Sequence, residues 1–413
     1  MQKKKWIYIS SLFFLLFIIF WGCQKSNQKS NINTGFWRME MNLGEALLPF
    51  NFEIKKENDK YQMLIFNADE VIEVTDIVQK SDSIYIRLPV YETEFQLKIN
   101  NPNKISGVWK NYYRGEDYKI NVEATYGESF RFFEFENPYA KLFNKFEVSF
   151  QPEKNSTFPA IGLFEQEKDK IKGTFITETG DFRHLEGQIK KDSLFLSSFD
   201  GSVAYLFKAT FQGDSIHGSF WSGNHYQAHW KGKRNDNFEL RNPDSLTQLK
   251  KEYNKLQFSF PNVKGKHISL DDSIFKNKVV IVQIMGSWCH NCLDETEFLT
   301  SLYQEYNKDG LEVVALAFER TKSKAQAFKN IERLIAKTQA PYPFLLAAWD
   351  RKTKAVEKLP MLNHIMSFPT TIFIDKSGEV AKIHTGFYGP SSGKLYEDYV
   401  QNTTALIHKL LAN

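Results

Sequence analysis

Two cysteines separated by two residues, Cys289 and Cys292, are the residues of this chain best suited to chemistry. They follow an apolar run, 279–285, that predicts a buried strand, and precede a segment, 293–299, that predicts a helix. A cysteine pair at a strand-to-helix turn is typical of thiol–disulfide exchange centres. At a helix N-terminus, unpaired N–H groups and the helix dipole favour a thiolate. The second cysteine lies about one turn further on, where it can close a disulfide after exchange.

Length, composition and charge indicate an ordinary folded protein with more than one domain. The chain has 413 residues, which predicts two to three domains. Hydrophobic residues make up 42% and charged residues 25%, as in typical globular proteins. The net charge of +4 is too small to indicate a nucleic-acid partner. Because only three cysteines are present, no structural disulfide framework is expected.

The N-terminus resembles an export signal followed by a lipid-attachment site. Three lysines precede an apolar run, 6–21, which is shorter than the roughly 20 residues of a spanning helix and suits a signal-peptide core. Gly22-Cys23 then resembles a bacterial lipobox. We expect a signal peptide at 1–22 and a lipidated, disordered tether at 23–34 beginning with Cys23. The alternative is an uncleaved anchor.

Export and lipidation together predict the location of the folded part. Lipidation of Cys23 adds several acyl chains, and stable anchoring needs at least two membrane signals. The residues after it, 24–27, carry no acidic side chain that would resemble a known sorting signal. We therefore expect a lipid-anchored protein of the cell envelope on the periplasmic side, at the outer rather than the inner membrane.

The segment 35–237 alternates short apolar runs with polar turns, which is typical of antiparallel strands. Two stretches recur in its second half, because 80–86 resembles 190–196 and 104–109 resembles 215–221. We predict a duplicated antiparallel β domain that closes into one barrel or sandwich, or into two small ones. Its first copy covers 35–136 and its second 137–237.

A linker helix is predicted at 238–257, between the β segment and the cysteine-bearing domain at 258–413. Asn242-Pro243 is a typical helix start, and the apolar residues that follow have helical spacing. The predicted class is thus α+β and multi-domain, with the duplicated β domain preceding an α/β domain.

The C-terminal domain resembles a known family through two motifs. One is Trp288-Cys289-His290-Asn291-Cys292, and the other is the Phe-Pro-Thr-Thr run at 368–371, with glycines at 378 and 386. Together with its β-α-β-α then β-β-α order, the domain is similar to the thioredoxin-like TlpA/ResA group of membrane-tethered thiol–disulfide oxidoreductases. The resemblance covers about 258–413 and implies a thioredoxin fold and an enzyme without a cofactor.

The resemblance also implies roles for five residues. Cys289 is expected to attack a substrate disulfide, and Cys292 is expected to resolve the mixed disulfide. Pro369 resembles the cis-proline that faces the cysteine pair in this fold. With Trp288 and Phe368, it is expected to bind the substrate, because the backbone at Phe368 can pair with an extended segment.

Proton handling and redox tuning are assigned to residues beside the cysteines. Glu295 lies one turn beyond Cys292 and matches an acidic residue that manages the proton of the second cysteine in this group. Thioredoxin keeps its own buried acid at the position of Gln283, which cannot titrate. His290 and Asn291 are expected to tune the reduction potential, since a cation there would stabilise the first thiolate and make the couple more oxidising.

These assignments predict a periplasmic disulfide reductase. Its partners would be a disulfide-containing protein or a small thiol substrate, together with a membrane electron donor that reduces it again. The main alternative is a binding lipoprotein in which the β half captures a ligand and the redox domain is auxiliary. A peroxidase is disfavoured, because Val282 and Gly286 occupy the places of its Pro and Thr. Zinc at the cysteine pair would need two further ligands, so no metal site is predicted.

Overall fold

The computed structural model of the protein describes residues 31–134, 140–151, 157–350 and 352–413. The predicted signal peptide and the predicted lipidation site, Cys23, lie outside the described residues. Among the helices in these ranges, none combines the length and the apolar character that crossing a membrane requires.

The β half forms two nine-stranded antiparallel sheets. The first contains β1 Gly35–Asn42, β2 Leu47–Glu57, β3 Lys60–Asn67, β4 Glu70–Val74, β5 Ile77–Lys80, β6 Ser83–Arg87, β7 Thr93–Asn101, β8 Lys104–Asn111 and β9 Lys119–Tyr126. The second contains β10 Lys145–Phe150, β11 Phe158–Glu167, β12 Lys170–Thr177, β13 Gly180–Asp181, β14 Leu185–Lys190, β15 Ser193–Phe199, β16 Ala204–Gln212, β17 Ser215–Ser222 and β18 Tyr226–Arg234.

Both sheets are meanders in which the first strand pairs with the last. In the first sheet, β1 pairs with both β2 and β9, and the order is β4-β3-β2-β1-β9-β8-β7-β6-β5. In the second sheet, β10 pairs with β11 and β18, and β11 also pairs with β12, so the strands close into a barrel. The β-rich, barrel-like architecture predicted for this half is confirmed.

In each β unit, alternate residues along the strands point inward, and many of them are aromatic. Phe150, Phe175 and Phe207 pack together inside the second barrel, with ring centroids 4.5 Å apart for the latter two. The two units also share apolar contacts, because Phe199 of the second unit stacks on Phe50 of the first at 4.6 Å. Burial of such large rings is the main source of stability for sheets of this kind.

The C-terminal domain has the predicted thioredoxin fold. Its five-stranded sheet contains β21 Val279–Met285, β22 Leu311–Phe318, β23 Phe344–Ala348, β24 Thr370–Ile374 and β25 Val380–Thr385, after the short pair β19 Ser259–Pro261 and β20 His267–Ser269. The helices are α1 His290–Tyr306, α2 Lys324–Thr338, α3 Ala355–Lys358 and α4 Lys394–Ala412, with 3₁₀ turns at Pro243–Ser245, Asn307–Asp309 and Pro390–Ser392. The order β23-β22-β21-β24-β25 makes β21 the central strand. All seven of its residues are buried, as its unbroken apolar sequence predicts.

The predicted linker helix at 238–257 is wrong. Only the 3₁₀ turn Pro243–Ser245 forms there, and the rest of the segment follows the C-terminal domain as an irregular chain with turns and one isolated β-bridge. Leu249 pairs with Leu362, and the N–H of Lys250 donates to the carbonyl of Met361 at 2.9 Å. The backbone of the C-terminal domain thus provides hydrogen-bond partners for this segment. Because forming the first turn of a short helix is costly, the segment does not fold as a helix.

Candidate active site

Cys289 occupies the N-cap of α1, directly after the central strand. Its Sγ accepts a hydrogen bond from the N–H of Cys292 at 3.3 Å, so the helix terminus points at the sulfur. Gly286 makes this tight turn possible, because a Cβ there would lie 2.3 Å from Nε1 of Trp288. Both cysteines are free thiols. Cys289 is 8% exposed and Cys292 is fully buried, so only the first can meet a substrate directly.

Cys292 is held as a protonated thiol. Burial raises its pKa well above the ordinary value, and the neighbouring Cys289 and the carboxyl of Glu295 raise it further. A protonated thiol is a poor nucleophile. Resolution by Cys292 therefore requires a base that can remove its proton inside the domain.

The three predicted substrate-binding residues lie together beside Cys289. The Phe368–Pro369 peptide bond is cis, as predicted, and the thiol of Cys289 donates to the carbonyl of Phe368 at 3.3 Å. The ring of Trp288 packs edge-on against that of Phe368 at 5.5 Å. Its Nε1–H is anchored on the carbonyl of Phe318 at 2.9 Å. A backbone carbonyl and two aromatic rings thus surround the accessible sulfur.

Glu295 is fully buried beneath the cysteine pair. Its carboxylate accepts hydrogen bonds from Thr371 at 2.6 Å, from Gln283 at 2.9 Å and from Tyr399 at 3.4 Å. Burial outweighs these bonds and raises the pKa of Glu295 to about 7. Gln283 also donates to the carbonyl of Cys292 at 3.3 Å, so one amide contacts both partners.

None of the three groups that hold Glu295 was predicted from the sequence as a partner of this carboxyl. Thr371 belongs to β24 and Tyr399 to α4, so both reach Glu295 only through the tertiary fold. Thr371 belongs to the Phe-Pro-Thr-Thr motif. This position in the motif is the sequence feature that could have marked its hydroxyl as part of the site.

The surroundings of His290 do not favour the cation on which the expected oxidising effect depends. The His290 ring contacts the second β unit, where its Nε2 lies 3.4 Å from the carbonyl of Asp181 and its ring centroid lies 6.1 Å from that of Tyr205. Burial lowers the pKa of His290, so the imidazole is neutral at pH 7. Asn291 donates to the same carbonyl at 3.4 Å. His290 and Asn291, the two residues between the cysteines, therefore both face the β half.

The β half reaches the cysteine pair through the hairpin Thr177–Asp181, which sequence reasoning did not assign to the site. The Oγ–H of Ser367 donates to the carbonyl of Thr179 at 2.7 Å. The N–H of Gly389 donates to the carboxylate of Asp181 at 2.6 Å. No sequence motif marks this hairpin, because its role depends only on how the domains pack.

A buried arginine joins all three units next to the site. Arg183, beside the hairpin, makes ion pairs with Glu70 of the first β unit and with Asp294 of α1, and lies 3.6 Å from Asp200. Burial raises the pKa of Asp294 to about 7, although Arg183 opposes this shift. Because these side chains are buried, each charge needs an opposite charge nearby to offset its loss of hydration.

A second buried carboxyl fixes the turn before the cysteines. Glu319 accepts hydrogen bonds from the N–H and the Oγ–H of Ser287 at 2.8 and 2.7 Å, and burial raises its pKa to about 7. The hydroxyl of Tyr113, from the first β unit, lies 3.3 Å from the same Ser287 Oγ. Both β units therefore contact the redox domain at its active-site face.

A metal site needs several ligand side chains close together, and the described residues provide no such cluster. No group of three or more His, Cys, Asp or Glu side chains in those ranges is placed to hold a metal ion.

Comparison with known proteins places the redox domain in a family. Residues 254–383 match the AhpC/TSA family model. Thioredoxin-like protein YneN of Bacillus subtilis is 30% identical over 132 residues, which cover 31% of this chain and 68% of that protein. The chain belongs to the thioredoxin-like thiol–disulfide oxidoreductases. A thiol-disulfide oxidoreductase ResA of Bacillus cereus is 29% identical over 36% of this chain and 75% of its own length.

Other matches to this thioredoxin-like family cover the same domain. The chain spans 66% of the length of ResA from Geobacillus thermodenitrificans, at 29% identity. A solved thiol-disulfide oxidoreductase from Bacteroides fragilis is 20% identical, with a TM-score of 0.28, over 35% of this chain and 98% of its own. The resemblance predicted from the two sequence motifs is confirmed, and the β half lies outside the segment that matches the family model.

Proposed function

We propose that this protein reduces disulfides through a cycle of Cys289 and Cys292. The observation that carries the proposal is the enclosure of one accessible thiol, one buried thiol and one buried carboxyl beside the cis Phe368–Pro369 bond. Cys289 attacks one sulfur of a substrate disulfide, whose S–S bond breaks and whose leaving sulfur takes a proton. Cys292 then attacks Cys289, the second substrate thiol leaves, and two electrons have passed to the substrate.

Glu295 acts in this proposal as the base for the second step. The proton of Cys292 passes to the ionised carboxylate, and it returns when the disulfide is reduced again. A pKa of about 7 suits this exchange, because the carboxyl can both take and release a proton near neutral pH. The bridging amide of Gln283 keeps the carboxyl beside the backbone of Cys292.

Glu295→Gln is expected to slow resolution by about 100-fold at pH 8. In the wild-type protein, Glu295 is protonated well below its pKa of about 7 and ionised above it. The resolution rate should therefore rise as pH increases through about 7, and the variant should lose this rise. The measurement is the decay of the Cys289 mixed disulfide, followed by acid quench and mass spectrometry from pH 5 to 9.

The matched control for this test is Glu297→Gln. Glu297 is an exposed glutamate on the same helix, two residues further along. It should keep the wild-type pH profile, because its carboxyl does not contact Glu295 or its hydrogen-bond partners. A Glu295→Gln profile that still rises through pH 7 would remove Glu295 from the mechanism.

The reduction potential distinguishes a reductase from an oxidant. Since His290 is neutral, no cation at this position stabilises the thiolate of Cys289. We expect the couple nearer to thioredoxin, at about −270 mV, than to a strong periplasmic oxidant at about −120 mV. Equilibration in glutathione buffers, followed by thiol alkylation, measures it. A value above about −150 mV would contradict the proposed direction.

Export and anchoring are part of the same proposal. Residues 1–22 would serve as the signal peptide and lipidated Cys23 as the anchor, with a tether to residue 34. Reversible disulfide chemistry suits an oxidising compartment. The substrates would be exported proteins with disulfides or small thiol compounds, and a membrane electron donor would restore the dithiol.

We also propose that the β half arose by duplication, with copies at 35–136 and 137–237 joined by 238–257 to the redox domain at 258–413. Both sheets have nine strands, and in both the first strand pairs with the last. The turns at Ser81 and Lys191, within the stretches that resemble each other, have φ angles of 55° and 54°. Ser81 lies in the turn between β5 and β6, and Lys191 lies in the turn between β14 and β15.

A further inference from the structure

A cleft lies between the second β unit and the cysteine pair. Its volume is about 460 Å³, within the roughly 300–1,000 Å³ of sites that bind small ligands. The hairpin Thr177–Asp181 and Phe158 form its wall on the β side, and Cys289, His290 and Phe368 form the opposite wall. The attacking sulfur is therefore at the edge of a two-sided cleft.

The hairpin wall is fixed tightly against the redox domain. Gly180 has a φ of +143°, and a Cβ there would lie 1.9 Å from Nδ2 of Asn291. Gly386 permits the same approach from the other side, since its Cβ would lie 3.1 Å from the backbone of Thr179. Ser367 and Gly389 also form hydrogen bonds to this hairpin. Together, these contacts fix the hairpin beside the cysteine pair as part of the site.

The lining of the cleft suits an uncharged, apolar segment. Aromatic rings from both domains face it, including those of Phe158, Phe182, Tyr205 and Phe368. Two carboxylates belong to the lining, and both have partners. Glu178 forms a bidentate pair with Arg241 at 2.6 Å for both bonds. The carboxylate of Asp181 accepts hydrogen bonds from the backbone N–H groups of Arg183 at 2.8 Å and Gly389 at 2.6 Å.

Residues of both β units lie around Cys289. The sulfur-bearing residue is only 8% exposed, and Tyr91 and Tyr113 of the first β unit belong to the same apolar cluster as Cys289. The flat surface of a compact protein cannot approach a sulfur that is enclosed in this way. A narrow chain that enters along the cleft can reach it.

We propose that the hairpin Thr177–Asp181 is a specificity-determining wall that restricts reduction to disulfides on extended peptide segments with apolar flanks. This inference rests on the proposed function, because it concerns the same Cys289. It gives the β half a role in substrate selection. Disulfides held inside compact folded domains are excluded by the size of the cleft.

Thr179→Trp tests this wall, because Thr179 is exposed and lines the cleft, so an indole there fills space without disturbing the barrel. We expect kcat/KM for an unstructured, apolar disulfide-linked peptide to fall at least tenfold. Alkylation of Cys289 by iodoacetamide should change less than threefold, which shows that the thiol remains reactive. Ser215→Trp, at an exposed turn of the same barrel, is the matched control and should keep the wild-type rate.

The wild-type protein supplies the second half of the test. It should reduce the extended peptide at least tenfold faster than a compact folded domain with the same disulfide sequence. Equal rates for the two substrates, or a Thr179→Trp rate equal to wild type, would overturn the role of the wall while leaving the proposed function intact. Failure to reduce either substrate would instead overturn the proposed function, and the wall with it.

Discussion

Cys289→Ser is expected to lower disulfide reduction by at least about a thousandfold. A serine hydroxyl is not ionised near neutral pH and cannot attack a disulfide, and the remaining thiol of Cys292 is fully buried and protonated. The measurement is the steady-state rate of thiol release from a disulfide-linked peptide with a recycling dithiol. The rate is compared at equal protein concentration.

Cys292→Ser is the matched control for this experiment. It keeps the accessible Cys289 and should react once with the substrate, but it should not turn over, because no internal thiol resolves the mixed disulfide. A Cys289→Ser rate within tenfold of wild type would show that the reaction does not pass through this sulfur.

Arg183→Met is expected to lower the free energy of unfolding by about 3–5 kcal/mol, the usual cost of removing one partner from a buried ionic cluster. Asp294, Asp200 and Glu70 would then lose the buried positive charge that compensates them. Because the arginine joins both β units to α1, the loss should also loosen the β half from the redox domain. Urea denaturation at pH 7 measures the first effect.

Arg241→Met provides the contrast for this stability test. Its partner Glu178 is held by two short bonds, but the guanidinium is exposed to solvent, so the loss of this pair should change stability little. Amide hydrogen exchange at the hairpin should increase in Arg183→Met and should not in a variant of a surface residue distant from the junction, such as Ser215→Trp. Equal stability of Arg183→Met and wild type would show that the junction does not bind the units together.

The parts of the site that the sequence predicts are those determined by local pattern. The apolar strand, the turn and the helix place Cys289 at an N-cap, and this depends on residues within about one helical turn of the cysteine. The cis bond at Phe368–Pro369 and the place of Glu295 were implied by the resemblance to the TlpA/ResA group. The thioredoxin-like domain was therefore predictable as a unit.

The errors arise where one domain contacts another. In solvent, His290 would be partly protonated near neutral pH, but the second β unit covers it and burial lowers its pKa. The apolar spacing at 246–256 indicates a helix for an isolated segment, while the neighbouring domain supplies backbone partners that favour an irregular chain. In both cases, the deciding contacts are distant in the sequence, and no local pattern encodes them.

The β half is where the sequence was least informative about function. Its alternating pattern predicted strands, and its repeated stretches predicted two related units, but neither pattern indicated which face would meet the cysteines. Asp181 and Arg183 lie in an ordinary polar turn in the sequence, and only their contacts with Gly389 and Asp294 connect them to the active site.

A trapped mixed disulfide would show whether Cys289 is the sulfur that attacks the substrate. Cys292→Ser is incubated with a disulfide-linked peptide, and the adduct is located by mass spectrometry after digestion without reductant. We expect one peptide adduct per chain, on Cys289, and none in the variant that lacks both Cys289 and Cys292. An adduct absent from Cys289 under conditions in which the wild-type protein reduces the peptide would contradict this expectation.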